Sequence, residues 1–319
     1  MKFFNKCRNF AKAHSFAFTS VLCLALVLII TFGLFVNMLF ALDDKEKSEI
    51  LENLKSDKEF MTQFENSALG FSDPYLVWEL TEALDCSVSQ LTQSKMSETL
   101  GLSISNNPYI QSLDDLRYFT SIESLSITDC MLKEVSPVFT LDTLKTLSLK
   151  NNVIKSVDGI ENLQLLEKLD LSENRISDVS FLSKLPLLIE ADISKNFAEK
   201  ISSLKDSETL IELDLAENRL DSLSFMVGNK SIVSLDVSGN DITALDDLAG
   251  CEVLEKLYLY KYLDMDLTPL HNLPAFNSIF LSETFDRSKI DFMIGNFSTG
   301  DKYTRIYLVS KARGLDTND

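Results

Sequence analysis

The sequence predicts an α/β solenoid whose short parallel strands line up on one concave face. Three observations carry that prediction. Asn152, Asn174, Asn196, Asn218 and Asn240 fall 22 residues apart. Around each Asn the apolar positions keep the same offsets. One copy reads Leu144, Leu147, Leu149, Ile154, Val157, Ile160 and Leu163, and another reads Leu210, Leu213, Leu215, Leu220, Leu223 and Met226, before Asn229 interrupts the set ahead of Ile232. The stretches LDLSENRISDV from Leu169, LDLAENRLDSL from Leu213 and LDVSGNDITAL from Leu235 nearly restate one another. A fixed period of this size marks stacked coils, each burying its apolar side against its neighbours.

From the N-terminus, residues 1–15 form a basic flank with Lys2, Lys6, Arg8 and Lys12. Residues 16–42 follow as 27 residues without a charge, more than the roughly 20 that cross a bilayer as a helix and more than a signal-peptide core. A transmembrane signal-anchor is expected there. The basic flank on one side and DDKEKSE on the other place the N-terminus in the cytoplasm and the rest of the chain outside. The alternative is secretion after cleavage at Ala41, which Leu39 fits poorly because a small residue is favoured there. Asn37 reads as an interfacial residue near the outer end.

Residues 43–99 lack the 22-residue period and read as a helical stalk and N-terminal cap. Ile50, Leu51, Leu54, Met61 and Phe64 give an apolar stripe at helical spacing. Asp73 followed by Pro74 is a helix start, since Asp caps free amides and Pro tolerates the first helical position. A second short helix is expected from about Gln90 to Ser97. Such a cap shields the apolar end of the first coil.

Residues 100–284 hold about nine copies, the outer ones centred on Asn107, Cys130, Tyr262 and Thr284. The skeleton L-x-x-L-x-L-x-x-N-x-I/L matches the leucine-rich repeat pattern, which folds as a horseshoe or arc with a parallel β-sheet on its concave face. In each L-x-L the two leucines point inward and the residue between them outward. The Asn amide carries donor and acceptor, so Asn107, Asn152, Asn174, Asn196, Asn218 and Asn240 are expected to form a structural ladder that pairs buried backbone of their own and adjacent coils. Cys130 and Thr284 are small enough to play this part in some measure. Tyr262 is too large for it, and Asp264 takes the next apolar position, so the eighth coil is expected to be distorted. Residues 285–319 read as a C-terminal cap and tail. They comprise a helix-like turn at IDFMIGNF, a closing strand from Tyr303 to Val309, and KARGLDTND, which is expected to lack regular structure.

One outward column runs Ser126, Ser148, Asp170, Asp192, Asp214, Asp236, Tyr258 and Phe280. Its four Asp residues are either a solvated face or a ladder that attracts a basic partner. Tyr258, Tyr260 and Phe280, with Lys256 nearby, are expected to be exposed, and exposed aromatics are enriched at interfaces. The reading makes all eight of these aromatic, Lys and Asp residues candidate partner contacts. Beyond residue 42 the chain carries 26 basic and 48 acidic residues, a balance of −22 that argues against nucleic acid as a partner. Of five cysteines, Cys7 and Cys23 precede the stalk, Cys130 and Cys251 fall in inward columns and Cys86 lies between cap helices, which is no disulfide framework. Only two histidines occur, His14 and His271, without a nucleophile motif or metal-ligand spacing, and there is no Gly-rich phosphate loop. No catalytic residue, cofactor or metal is therefore expected.

FSDPYLVWELTEAL followed by 22-residue leucine-rich repeats resembles the N-terminal cap and array of internalin-like proteins of Gram-positive bacteria, over about residues 70–284. The resemblance implies an exported, non-enzymatic array that binds a protein, or alternatively a glycan, on its concave face. The chain lacks their Leu-Pro-x-Thr-Gly sorting signal, so wall attachment is not expected. A membrane-tethered extracellular binding module is the leading function. The alternative is an intracellular adaptor resembling the 22-residue-repeat regulators of protein phosphatases, which VDGIENLQLLEKLDLSENRI would suit.

Overall fold

The computed structural model describes residues 54, 56–286, 288 and 305–309. The flank 1–15, the apolar run 16–42, Ile50 and Leu51 of the stalk stripe, the turn IDFMIGNF and the tail from residue 310 lie outside the described residues. Among the described residues no helix is long and apolar enough to cross a membrane. The chain divides into two compact units, residues 1–63 and 64–319. Helix α1, Lys58–Glu65, spans that boundary, and Asp57 caps its start by accepting from Phe60 N at 2.9 Å.

In the second unit the cap comes first. Helix α2 is Pro74–Ala83, with Asp73 at its N-cap accepting from Tyr75 N at 2.8 Å and Leu76 N at 3.1 Å. Leu76, Val77 and Leu80 form its buried face. The expected Gln90–Ser97 helix divides into a 3-10 turn, Val88–Gln90, and helix α3, Gln93–Ser97, capped by Thr92. Two buried carboxylates tie the cap to the first coil. The second oxygen of Asp73 accepts from Gln111 N and Ser112 N at 2.6 and 2.8 Å, and Asp115 accepts from Ser72 N and Asp73 N.

The repeats build one ten-stranded parallel sheet in strict chain order. Its strands are β1 Gly101–Ser105, β2 Ser124–Thr128, β3 Thr146–Ser148, β4 Lys168–Asp170, β5 Glu190–Asp192, β6 Glu212–Asp214, β7 Ser234–Asp236, β8 Lys256–Leu259, β9 Ser278–Ser282 and β10 Arg305–Val309. Strands β1 to β9 open the nine copies, and β10 is the closing strand, of which Arg305–Val309 are described while residues 303 and 304 lie outside the described residues. Register keeps like positions together: Leu125, Leu147, Leu169, Ala191, Leu213, Leu235, Leu257 and Ile279 pair in one inward column, all buried. Burying one such Leu stabilises by about 1.5–3 kcal/mol, so the column is the spine of the core. The far side of most coils is a 3-10 turn, as at Ser136–Thr140 and Ser180–Lys184, rather than an α-helix. A short turn closes a coil of this length where a longer helix would not.

The Asn side chains sit between coils. Asn174 Nδ2 donates to Leu149 O of the preceding coil at 2.9 Å and to Leu171 O of its own at 3.0 Å, and its Oδ1 accepts from Ile154 N at 3.1 Å. Asn152, Asn196, Asn218 and Asn240 make the same cross-coil pair of bonds. Before each, the chain passes through a left-handed residue: Asn151, Glu173, Lys195, Glu217 and Gly239. Asn107 has no coil before it and donates instead to Glu79 of α2 at 2.8 Å.

Two expectations about the substituted positions are corrected, those for Tyr262 and Thr284. Tyr262 does enter the ladder. Its hydroxyl accepts from Ile242 N at 3.3 Å and donates to Val237 O at 3.2 Å, the same relative backbone groups that Asn240 reaches. The ring carries the oxygen across the gap, and burial pushes the phenol up to about 12, so it remains a neutral donor. Thr284 does not substitute for Asn: it is exposed and pairs with Ser282. Cys130 keeps one bond within its own coil, Sγ to Thr128 O at 3.1 Å. The eighth coil does shift. Asp264 is exposed and Met265, one residue later, is buried in the apolar place.

Candidate functional site

The concave face carries a groove of about 520 Å³ across β3 to β7. Its floor is the outward column, whose register aligns Ser148, Asp170, Asp192, Asp214 and Asp236 strand by strand. Each Asp first has a local task. Asp170, Asp192, Asp214 and Asp236 accept from the backbone N–H two residues on, that of Ser172, Ser194, Ala216 and Ser238, at 2.8–2.9 Å. An Asp accepting in this way fixes the turn that leaves the strand. The second oxygen of each side chain is not used by that bond.

The groove also takes Glu173, Glu190, Glu212 and Glu217, together with Lys150, Lys168 and Lys195. Eight carboxylates against three lysines leave an excess of five negative charges. The lysines are drawn to two of the acids: Lys168 to Glu190 at 2.8 Å, and Lys195 and Lys150 to Glu173 at 3.2 and 3.6 Å. Pairs this exposed contribute little to stability, so they arrange the surface more than they hold it. Burial, then the neighbouring Asp170, raise Asp192 above its ordinary carboxylate value, against the lowering effect of its bonds to Ser194. The glutamates and lysines were outside the sequence-based site, although they too recur at the 22-residue period. Among the described residues no group of three His, Cys, Asp or Glu is placed to hold a metal ion.

The aromatic end differs from expectation. Tyr258 is 5% and Tyr260 6% exposed, so neither is an open platform. The outward column continues Tyr258, Phe280, Tyr307 across β8, β9 and β10. Their rings stack, Tyr258 on Phe280 at 4.1 Å and Phe280 on Tyr307 at 4.5 Å, with interplanar angles of 12° and 8°. Tyr260 lies 6.2 Å from Tyr258. Each ring covers its neighbour, and Tyr307, which the sequence placed only in a closing strand, is the exposed member at 39%. Phe280 is half-buried within the stack, and Lys256 is half-buried in register with Ser234 and Ser278 at the start of β8.

Residues 142–184 match a family model of leucine-rich repeats in two copies, and residues 228–245 match a single leucine-rich repeat. No curated protein matches the chain. Among solved structures, the chain is similar to an internalin (inlF) of Listeria monocytogenes at 23% identity, over 75% of this chain and 70% of that one, with a TM-score of 0.64. An internalin C2 of the same species aligns at 26% identity, over 66% of this chain and 93% of that one, with a TM-score of 0.60. A leucine-rich repeat protein of Leptospira interrogans aligns at 19% identity over 60% of this chain and 54% of that one, with a TM-score of 0.52. The chain carries leucine-rich repeats, and its fold is that of an internalin-like solenoid.

Proposed function

We propose that this protein is a non-enzymatic binding module that recognises a basic protein partner through the groove across β3 to β7. The observation that carries this reading is the excess of carboxylates on a concave, backbone-rigid floor. A wall of one charge sign steers an oppositely charged partner and fixes its orientation, acting more on association rate than on affinity. A protein is preferred to a glycan because the groove is lined by charged, small and leucine side chains, with no aromatic ring on which a sugar would stack. Residues 16–42 tether the module to the membrane with the repeats outside, as their length, lack of charge and basic flank suggest.

The test is site-specific crosslinking from the groove in the full chain in its own membrane. A photoreactive group at Glu212 should capture a basic protein, and the capture should fall in Asp170→Asn/Asp192→Asn/Asp214→Asn and with rising salt. Capture that is indifferent to salt and to those substitutions would move the site off the groove.

A further inference from the structure

Beside the groove lies a second column that the proposed function does not use. The residue leading into each strand donates its N–H to the carbonyl of its counterpart in the preceding coil, as Ile189 does to Glu167, Ile211 to Ile189, Val233 to Ile211 and Glu255 to Val233, at 2.8–2.9 Å. The column so formed reads Glu123, Lys145, Glu167, Ile189, Ile211, Val233, Glu255, Asn277. It is polar at both ends and apolar only in the three coils that carry Asp192, Asp214 and Asp236. Ile211 is 42% exposed, and Ile189 and Val233 are half-buried. Two residues before Ile189, Leu187 is 42% exposed, and its counterpart Leu165 in the preceding coil is 44% exposed. Nothing in the repeat demands these side chains, because Thr209 and Ser231 stand at the position of Leu187 in the next two coils and Glu167 and Glu255 flank the Ile–Val run.

We propose that this rim, Ile189, Ile211 and Val233 with Leu165 and Leu187, is the apolar half of one docking surface whose other half is the acidic groove, and that its occupant is a protein segment bearing apolar side chains beside basic ones. The inference rests on the groove reading above and extends it. Ile189 and Asp192 stand three residues apart along the chain, about 10 Å, so one extended segment laid across the coils can reach both columns with side chains of opposite faces. Charge selects the occupant. A second copy of this chain would bring carboxylates against carboxylates at a net charge of −18, and an anionic lipid surface would be repelled in the same way. A basic segment is attracted on one side and buries apolar area on the other, where contacts set the dissociation rate.

Two peptides of equal length and charge test this against the full chain in phosphatidylcholine nanodiscs, with empty nanodiscs as blank and fluorescence anisotropy as readout. One alternates Lys and Val, the other Lys and Ser. The Lys–Val peptide should bind about tenfold more tightly, a difference of about 1.4 kcal/mol. In Leu187→Ser/Ile211→Ser that preference should disappear while the Lys–Ser peptide binds as before. Both residues are exposed, so this variant should melt like wild type. Asp192→Asn/Asp214→Asn should weaken both peptides. A preference that survives the rim substitutions overturns the inference and leaves the groove reading standing. Groove substitutions that weaken neither peptide sink the groove reading itself. A wild-type dimer in sedimentation that becomes monomeric in the rim variant would assign the rim to a second copy instead.

Discussion

At the scale of single residues, the ladder between coils shows what a periodic sequence reveals and what it hides. The Asn positions are legible because an amide recurring every 22 residues in an apolar frame has one plain use, the pairing of buried backbone. Tyr262 is not legible in the same way, because a sequence conveys the bulk of a phenol and not where its oxygen arrives. The hydroxyl meets Ile242 N and Val237 O, so Tyr262→Phe, which keeps the ring and its packing, should lower stability by about 1–3 kcal/mol through two unpaired backbone groups. A melting curve that matches wild type would show that water or another group serves them. Asp192 supplies a test of opposite sign. Burial raises its carboxyl, so the folded state holds the proton more tightly than the unfolded chain does. The stabilisation from this group is full below the ordinary value of 3.8 and is lost as pH rises through the raised folded value. Asp192→Asn keeps an oxygen for Ser194 N and removes the charge. It should therefore melt above wild type at pH 7, with the gap closing as the pH is brought down towards 3.8. A gap independent of pH would assign the effect to something other than this carboxyl. Stability gained there at the expense of recognition is the usual trade at a binding surface.

At the scale of elements, strands and cap are unequal in what the sequence discloses. The L-x-L spacing displays the parallel sheet, since only alternation in every copy lets the columns stack. The start of α2 is equally plain in Asp73–Pro74. What is hidden is the second use of Asp73, because its other partners, Gln111 N and Ser112 N, lie in the first coil. The same distance hides Asp115, which returns the arrangement by accepting from Ser72 N and Asp73 N. Asp73→Ala should thus lose a helix cap, about 1 kcal/mol, together with two further N–H partners. The expected loss is about 2–4 kcal/mol. Thr92→Ala removes a cap that serves only α3 through Lys95 N and should lower stability by about 1 kcal/mol or less. Chemical denaturation of the two variants side by side decides the point, and equal losses would mean that Asp73 does no more than cap its helix. The aromatic stack is hidden for a related reason. Alternation says that Tyr258 and Phe280 share a face, but their burial depends on the register of β10, which brings Tyr307 over Phe280.

At the scale of the whole chain, charge and hydropathy are the readable quantities, and they divide the sequence at one place. Four basic residues and a 27-residue uncharged run precede a body with a balance of −22. If the run is an uncleaved anchor, the acidic body stands on the side away from the basic flank, where a basic partner can be met by diffusion. Thiol chemistry reads this topology in intact cells. Cys7 lies in the flank, Cys130 and Cys251 are buried and silent, and half-buried Cys86 is replaced as Cys86→Ser so that it does not compete. Lys155→Cys puts a thiol at an exposed position of the repeats. A membrane-impermeant maleimide should modify residue 155 in intact cells and reach Cys7 only after permeabilisation. Labelling of neither site until the membrane is opened would place the repeats inside and favour the adaptor reading, in which the groove meets a cytoplasmic partner. Labelling at residue 155 in a mature chain whose N-terminal sequence begins at Leu42 or Asp43 would keep export and remove the tether. The groove would then act in free solution rather than at the membrane surface, and its avidity would no longer gain from confinement to a plane.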